Sequence, residues 1–142
     1  RSAIGQATVE PEDRFFLRVF SPLHSHIRPF HAFFKKTEVT GRVVDKLAKL
    51  SKVVNRNNTA ATNSDDYLLL YNLRTFQELP HNKSLKWCAK HKLVKQTDII
   101  VLEKRGNIKN YISKLTKMSQ LQKYCKQIQL LEESKGILIN VY

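Results

Sequence analysis

Leu93 to Arg105 is the stretch that most restricts what this chain can fold into. A polar turn, Lys95-Gln96-Thr97-Asp98, leads into the apolar run Ile99-Ile100-Val101-Leu102. The run stops at Glu103-Lys104-Arg105, followed by Gly106-Asn107. β-branched residues bounded by turn formers predict a buried strand. Its far end delivers two cations and a glycine to the surface, the way small barrels present side chains to a polyanion.

The charge balance extends this reading. The chain has 142 residues, which predicts one domain with extensions, and an apolar fraction of 42%, enough for one modest core. Its formal net charge is +13. Such an excess repels itself in a compact state, so it points to a polyanionic partner, nucleic acid first and an acidic membrane surface second. Cys88 and Cys125 do not make a disulfide framework, and the composition reads as reduced or intracellular. No apolar run approaches the roughly 20 residues that span a bilayer. There is no signal-peptide pattern. The sequence opens on Arg1 rather than Met, as a processed chain or a portion of one would.

Residues 1–13 read as a polar surface tail. Residues 14–36 hold Phe15, Phe16, Phe20, Phe30, Phe33 and Phe34 among Arg14, Arg18, Arg28, Lys35, Lys36 and three histidines, with no acid. Pro22 and Pro29 argue against a long helix there. Rings interleaved with cations suit an irregular extension along RNA, with Arg28, Lys35 and Lys36 reaching phosphates. Rings of this kind also cover a protein core, which is the commoner fate of phenylalanine.

Thr37 to Val44 alternates and is rich in β-branched residues, which predicts a strand. Val43, Leu47 and Leu50 also share a helical face, so residues 45–52 fit either strand or helix. Residues 55–66 read as an exposed polar loop. Tyr67 to Phe76 predicts a strand, Pro80–Lys83 a turn, and Leu85 to His91 a strand or short helix. From Ile108, apolar residues recur in steps of three and four through Leu131, which predicts an amphipathic helix capped near Asn110 or Ser113 and ended by Gly136. The tail from Ile137 to Tyr142 alternates weakly.

Cys88 with His91, and His24 with His26, do not assemble the four paired ligands of a zinc site, so no metal and no cofactor is expected. No phosphate-binding glycine loop, carboxylate pair or nucleophile motif is present, so the chain is not expected to be an enzyme. Cys88 beside Lys86, Lys90 and His91 would carry an activated thiol if exposed, and an inert one if packed beside Trp87.

Two stretches together resemble a known family. Gly41-Arg42-Val43-Val44-Asp45-Lys46-Leu47-Ala48-Lys49 resembles the opening strand and basic turn of the bacterial-type small-subunit ribosomal protein seventeen. About fifty residues on, Val94 to Arg105 resembles that family's Val-Gly-Asp-x-Val strand and following loop, with Thr97 in place of the glycine. The resemblance covers roughly residues 40 to 105. It implies a mainly β fold with an added helix: an OB-type five-stranded barrel over 37–107, an irregular N-terminal extension over 1–36, and a C-terminal amphipathic helix and tail over 108–142. Carried over by position, Arg42, Lys46, Lys49, Lys104 and Arg105 would contact RNA phosphates, with Lys109 just beyond them. Tails added to a divergent core resemble a mitochondrial ribosomal protein. The expectation is therefore a structural constituent of the mitochondrial small ribosomal subunit that binds ribosomal RNA and neighbouring ribosomal proteins, with no small-molecule substrate. The alternative is a basic protein–protein adaptor of a mitochondrial assembly that docks through its C-terminal helix. A small RNA-modifying enzyme is a third reading, for which no catalytic residues are apparent.

Overall fold

The computed structural model describes residues 3–21, 27–59 and 62–114. Strand β1 (Arg14–Phe20) alternates, with Phe15, Leu17 and Val19 buried on one side and Arg14, Phe16 and Arg18 on the other. Strand β2 (Phe30–Lys35) folds back antiparallel to it, pairing Phe15 with Phe34 and Leu17 with Ala32. The segment expected to be an irregular extension is thus a hairpin. Its rings mostly pack, with Phe15, Phe20, Phe33 and Phe34 all buried.

The next segment is helix α1 (Thr40–Leu50), which replaces the strand expected up to Val44 and resolves residues 45–50, open between strand and helix, as helix. Its β-branched residues suit either state locally, but burial chooses helix. Thr40, Val43, Val44, Leu47 and Ala48 recur at three- and four-residue steps and all lie inside. No side chain caps its start. Instead Thr40 N–H donates to the Lys83 carbonyl and Gly41 N–H to that of His81, both at 2.9 Å. The helix ends in a Schellman turn. Lys52 takes φ 55°, its N–H reaches the Lys49 carbonyl, and Val53 N–H reaches that of Ala48.

Strand β3 (Leu68–Asn72) is followed by the two-residue β4 (Gln77–Glu78) and helix α2 (Leu85–Lys90). Strand β5 (Ile99–Lys104) is the buried strand expected from the sequence. It lies parallel to β1, with Val19 opposite Ile100, and antiparallel to β3, with Leu70 opposite Leu102. Helix α3 (Arg105–Lys114) follows directly, three residues before the expected start. The rest of that predicted helix and the tail from Ile137 lie outside the described residues.

The strand order is β2-β1-β5-β3-β4. The expected OB-type barrel is not formed: β2 and β4 are the two ends of an open sheet, with no pairing between them among the described residues. Closure is unnecessary because both faces are covered by other means. On one face Phe15, Leu17, Val19, Leu70, Ile100 and Leu102 pack against α1 and α2. On the other, Phe20, Leu69, Tyr71 and Val101 pack with Ile108 of α3. Strands buried on two faces carry unbroken apolar runs, as β3 and β5 do. Each fully buried leucine contributes about 1.5–3 kcal/mol.

The segment around Ile4 lies against the outer edge of β2. Ile4 exchanges backbone hydrogen bonds with His31 and Phe33 at 2.8 and 2.9 Å. Arg14 holds this segment, its Nε donating to the Val9 carbonyl at 2.9 Å while its guanidinium lies 4.4 Å from the Phe33 ring centre. Gly5 is required there, since a Cβ would sit 2.6 Å from that ring.

Two polar clusters tie the sheet together. Asp98 is buried and accepts from Arg74, from Asn72 Nδ2 and from Lys95 N–H, all at 2.9 Å. Burial pushes its carboxyl up, but the bonds from Arg74, then Asn72 and Lys95, outweigh that and hold it below the ordinary range. The Gln96 side chain accepts from Phe16 N–H at 2.7 Å, which clamps the turn before β5 onto β1. In the loop expected to be exposed, the Asn57 amide pairs with Leu68 as a strand would, accepting from its N–H at 2.7 Å and donating to its carbonyl at 2.8 Å.

Candidate docking surface on the second helix

The cations expected to contact RNA are carried on several elements. Arg42 and Lys46 lie on the outer side of α1, and both pair with Glu38, Arg42 at 3.6 Å. Lys49 is exposed near the end of the same helix. Lys104 is exposed at the end of β5. Arg105 donates to Glu78 at 3.0 Å and to Ser64 Oγ at 2.9 Å, and lies over the Tyr67 ring. Lys109 pairs with Asp65 at 3.1 Å. Arg28 and Lys35 are exposed just before β2 and at its end, at opposite ends of the hairpin. Lys36 is half-buried beside α2, its carbonyl accepting from Lys86 N–H at 2.8 Å. Four of these nine are therefore spent on the chain's own acids.

A different group remains unneutralised. Between Glu78 and Asp98 the sequence holds Lys83, Lys86, Lys90, Lys92 and Lys95 and no acid. None of these lysines makes an ion pair among the described residues. The acids at the margins are engaged elsewhere: Glu78 by Arg105, Asp98 by Arg74, and Glu38 by Arg42 and Lys46.

Local structure places these lysines on α2 and its flanking turns. Ser84 Oγ accepts from Trp87 N–H at 3.0 Å and starts the helix. Leu85 and Cys88 turn inward to the core, which leaves Lys86 and Lys90 exposed. The helix closes in a second Schellman turn, with Lys92 at φ 62° and Leu93 N–H on the Cys88 carbonyl at 2.8 Å.

Trp87 lies at the centre. It is half-buried and packs on the rim of the core. His91, one helical turn on, stacks against it with ring centres 3.8 Å apart and planes at 20°. The Lys83 ammonium sits 4.9 Å from the indole centre. Val39, 38% exposed, forms a bridge with Ser84 at the edge of the same surface. The patch thus joins apolar area to cations and is held by backbone bonds from both sides.

Cys88 is buried beneath this surface with Thr40 Oγ1 at 3.9 Å. Burial pushes its thiol above the ordinary range, which suits a packed residue rather than a nucleophile. Among the described residues no three His, Cys, Asp or Glu side chains are grouped to hold a metal, and no helix is long and apolar enough to cross a membrane. The α2 surface does not show in the net charge, which counts its lysines with every other cation. The acid-free run from Leu79 to Thr97 and the Trp87–His91 spacing are the signals that mark it.

No curated protein matches the chain. Among solved structures it is similar to a chain of the toluene 4-monooxygenase HD complex with the inhibitor 4-bromobenzoate, at 11% identity and TM-score 0.42, covering 63% of this chain and 95% of that one. It is also similar to the solution structure of a ubiquitin-like domain of an Arabidopsis thaliana protein, at 14% identity and TM-score 0.44, covering 72% and 88%. The family model of the ZFAND1-like ubiquitin-like domain matches residues 33–107. That match overturns the resemblance to the ribosomal protein family, and with it the ribosomal and rRNA-binding assignment. The structure agrees with the correction, since the Gly41–Val44 stretch that stood for the opening barrel strand is the first turn of α1. The chain belongs to the family of ZFAND1-like ubiquitin-like domains.

Proposed function

We propose that this domain is a non-enzymatic docking module that presents α2 to a protein partner. The observation that carries the reading is an acid-free run of lysines gathered around Trp87. The lysines around Trp87 make no ion pair among the described residues, and Lys83 lies over the indole itself. Charges of one sign repel and destabilise a compact state, so concentrating them on one rigid element suits an external counterpart. A partly exposed tryptophan amid them is the residue type that anchors interfaces. Membership in a ubiquitin-like domain family supports a binding role over a catalytic one.

The test uses the full chain as immobilised bait beside two charge-reversed variants. Lys86→Glu with Lys90→Glu alters α2, and Lys49→Glu with Lys104→Glu alters two exposed positions elsewhere. The expected result is a protein recovered by the native chain and by the second variant but lost from the first. Equal recovery by both variants would remove α2 as the docking element.

A further inference from the structure

We infer that the partner segment taken by α2 is acidic and carries one apolar side chain, which seats against Trp87 beside Val39. This rests on the docking reading above and adds the chemistry of the occupant.

Charge complementarity sets the first half. Lys86 and Lys90 face outward and Lys83 lies over the indole, in a stretch that contains no acid, and the acids that bound it in sequence, Glu78 and Asp98, are each held by a cation of the fold, as is Glu38. An incoming carboxylate would meet lysines with no competing internal partner, and the attraction would weaken as salt rises.

The apolar contact sets the second half. Charge alone would be served by lysines on a polar helix. Here the indole of Trp87 is partly exposed, braced by the His91 ring at 3.8 Å, and Val39 lies 38% exposed across the Ser84 bridge. Bracing fixes the ring before any partner arrives, so little side-chain freedom is lost on binding. Exposed ion pairs each contribute little, whereas a packed tryptophan dominates an interface. The anchor is therefore expected to matter as much as the summed charge.

Trp87 is the chain's only tryptophan, so its fluorescence reports on this surface alone. The full chain is titrated with three synthetic peptides: one rich in Glu and Asp with a single central leucine, one with serine in place of that leucine, and one with every acid changed to its amide. The leucine peptide is expected to bind with a blue shift of the Trp87 emission. The serine peptide should bind about tenfold more weakly, and the amide peptide should not bind. Lys86→Arg with Lys90→Arg should retain binding, and Lys86→Glu with Lys90→Glu should lose at least about tenfold. Circular dichroism of each variant separates a lost contact from a lost fold.

Equal binding of the leucine and serine peptides with unchanged Trp87 emission would overturn the anchor. Equal binding of the amide peptide would overturn the acidic chemistry. Tighter binding of an RNA oligonucleotide of equal charge would overturn the choice of a protein segment. Failure of the docking reading looks different: protein recovery by the bait that ignores the α2 charge reversal.

Discussion

Arg74 closes on Asp98 with two parallel hydrogen bonds, Nε to Oδ1 and Nη2 to Oδ2, each 2.9 Å long. The carboxylate is buried while the guanidinium side chain is 43% exposed. Removing the buried partner strands more than one donor, because Asn72 Nδ2 and Lys95 N–H also end on Asp98. Asp98→Ala is expected to cost about 3 kcal/mol in urea unfolding. Arg74→Ala should cost less, since water already screens that side of the pair.

Acid should act in two separate windows, through Asp98 at the low end and through the histidines His81 and His31 just below the ordinary imidazole value. Hydrogen bonds hold the folded Asp98 carboxyl below its unfolded value of about 3.9, so the unfolded chain takes up its proton first. Its contribution is full above that value and is lost as pH falls through the folded pKa. Burial, aided by Arg105 and opposed by Glu78 and Asp45, holds His81 below the ordinary histidine value of about 6.5. Stability tied to His81 is therefore full above that value and declines as pH drops below it. In its neutral form the ring can accept from Asn57 Nδ2, 3.4 Å from His81 Nε2. His81→Gln should reduce the pH dependence of unfolding just below 6.5, with His31 carrying the remainder, and Asp98→Asn should flatten it only at the acid end, as followed by thermal melts across pH.

Asn57→Ala should loosen the loop before β3 more than its surface position suggests. The substitution strands both Leu68 backbone groups, and about 1–3 kcal/mol is expected to be lost. Hydrogen exchange at the Leu68 amide should accelerate, while exchange at β1 follows only the global change.

Glycine substitutions should act in opposite directions at two kinds of position. Replacing a helical glycine with alanine usually stabilises, but a Cβ on Gly106 would lie 3.0 Å from the Asp65 backbone oxygen. Gly106→Ala is expected to destabilise by about 1–3 kcal/mol as α3 is forced away from the turn at 64–66. Lys52 and Thr97 have φ of 55° and 65°, where side chains are strained. Lys52→Gly and Thr97→Gly are expected to be neutral to stabilising, by up to about 1 kcal/mol in melting experiments.

The legibility of the chain differed by element. Strand β5 was readable because apolar β-branched residues and a sharp polar stop leave few alternatives. Strand β1 was not read, although Phe15, Leu17 and Val19 alternate with Arg14, Phe16 and Arg18. Aromatic and cationic richness suggested RNA, when the rings were pairing across a hairpin. The start of helix α1 reads as strand because Val39, Thr40, Val43 and Val44 favour strands locally, while Val43, Leu47 and Leu50 share a helical face, and only packing under the sheet settles the matter. The surface on α2 depends on which lysines lack acids in space. Sequence order shows the acid-free run but not that Glu38 is drawn to Arg42 and Lys46, or Glu78 to Arg105.

The sheet places its earliest strand beside its last. β1 cannot complete its hydrogen bonding until Ile99–Val101 arrive, so the ends of a loop about eighty residues long must meet before the centre is whole. During synthesis the β1–β2 hairpin therefore emerges with Leu17 and Val19 uncovered, and waits for most of the domain to be made. Folding is expected to be slow for so small a unit, and a chain stopped before β5 would expose an apolar hairpin edge suited to aggregation and to capture by chaperones.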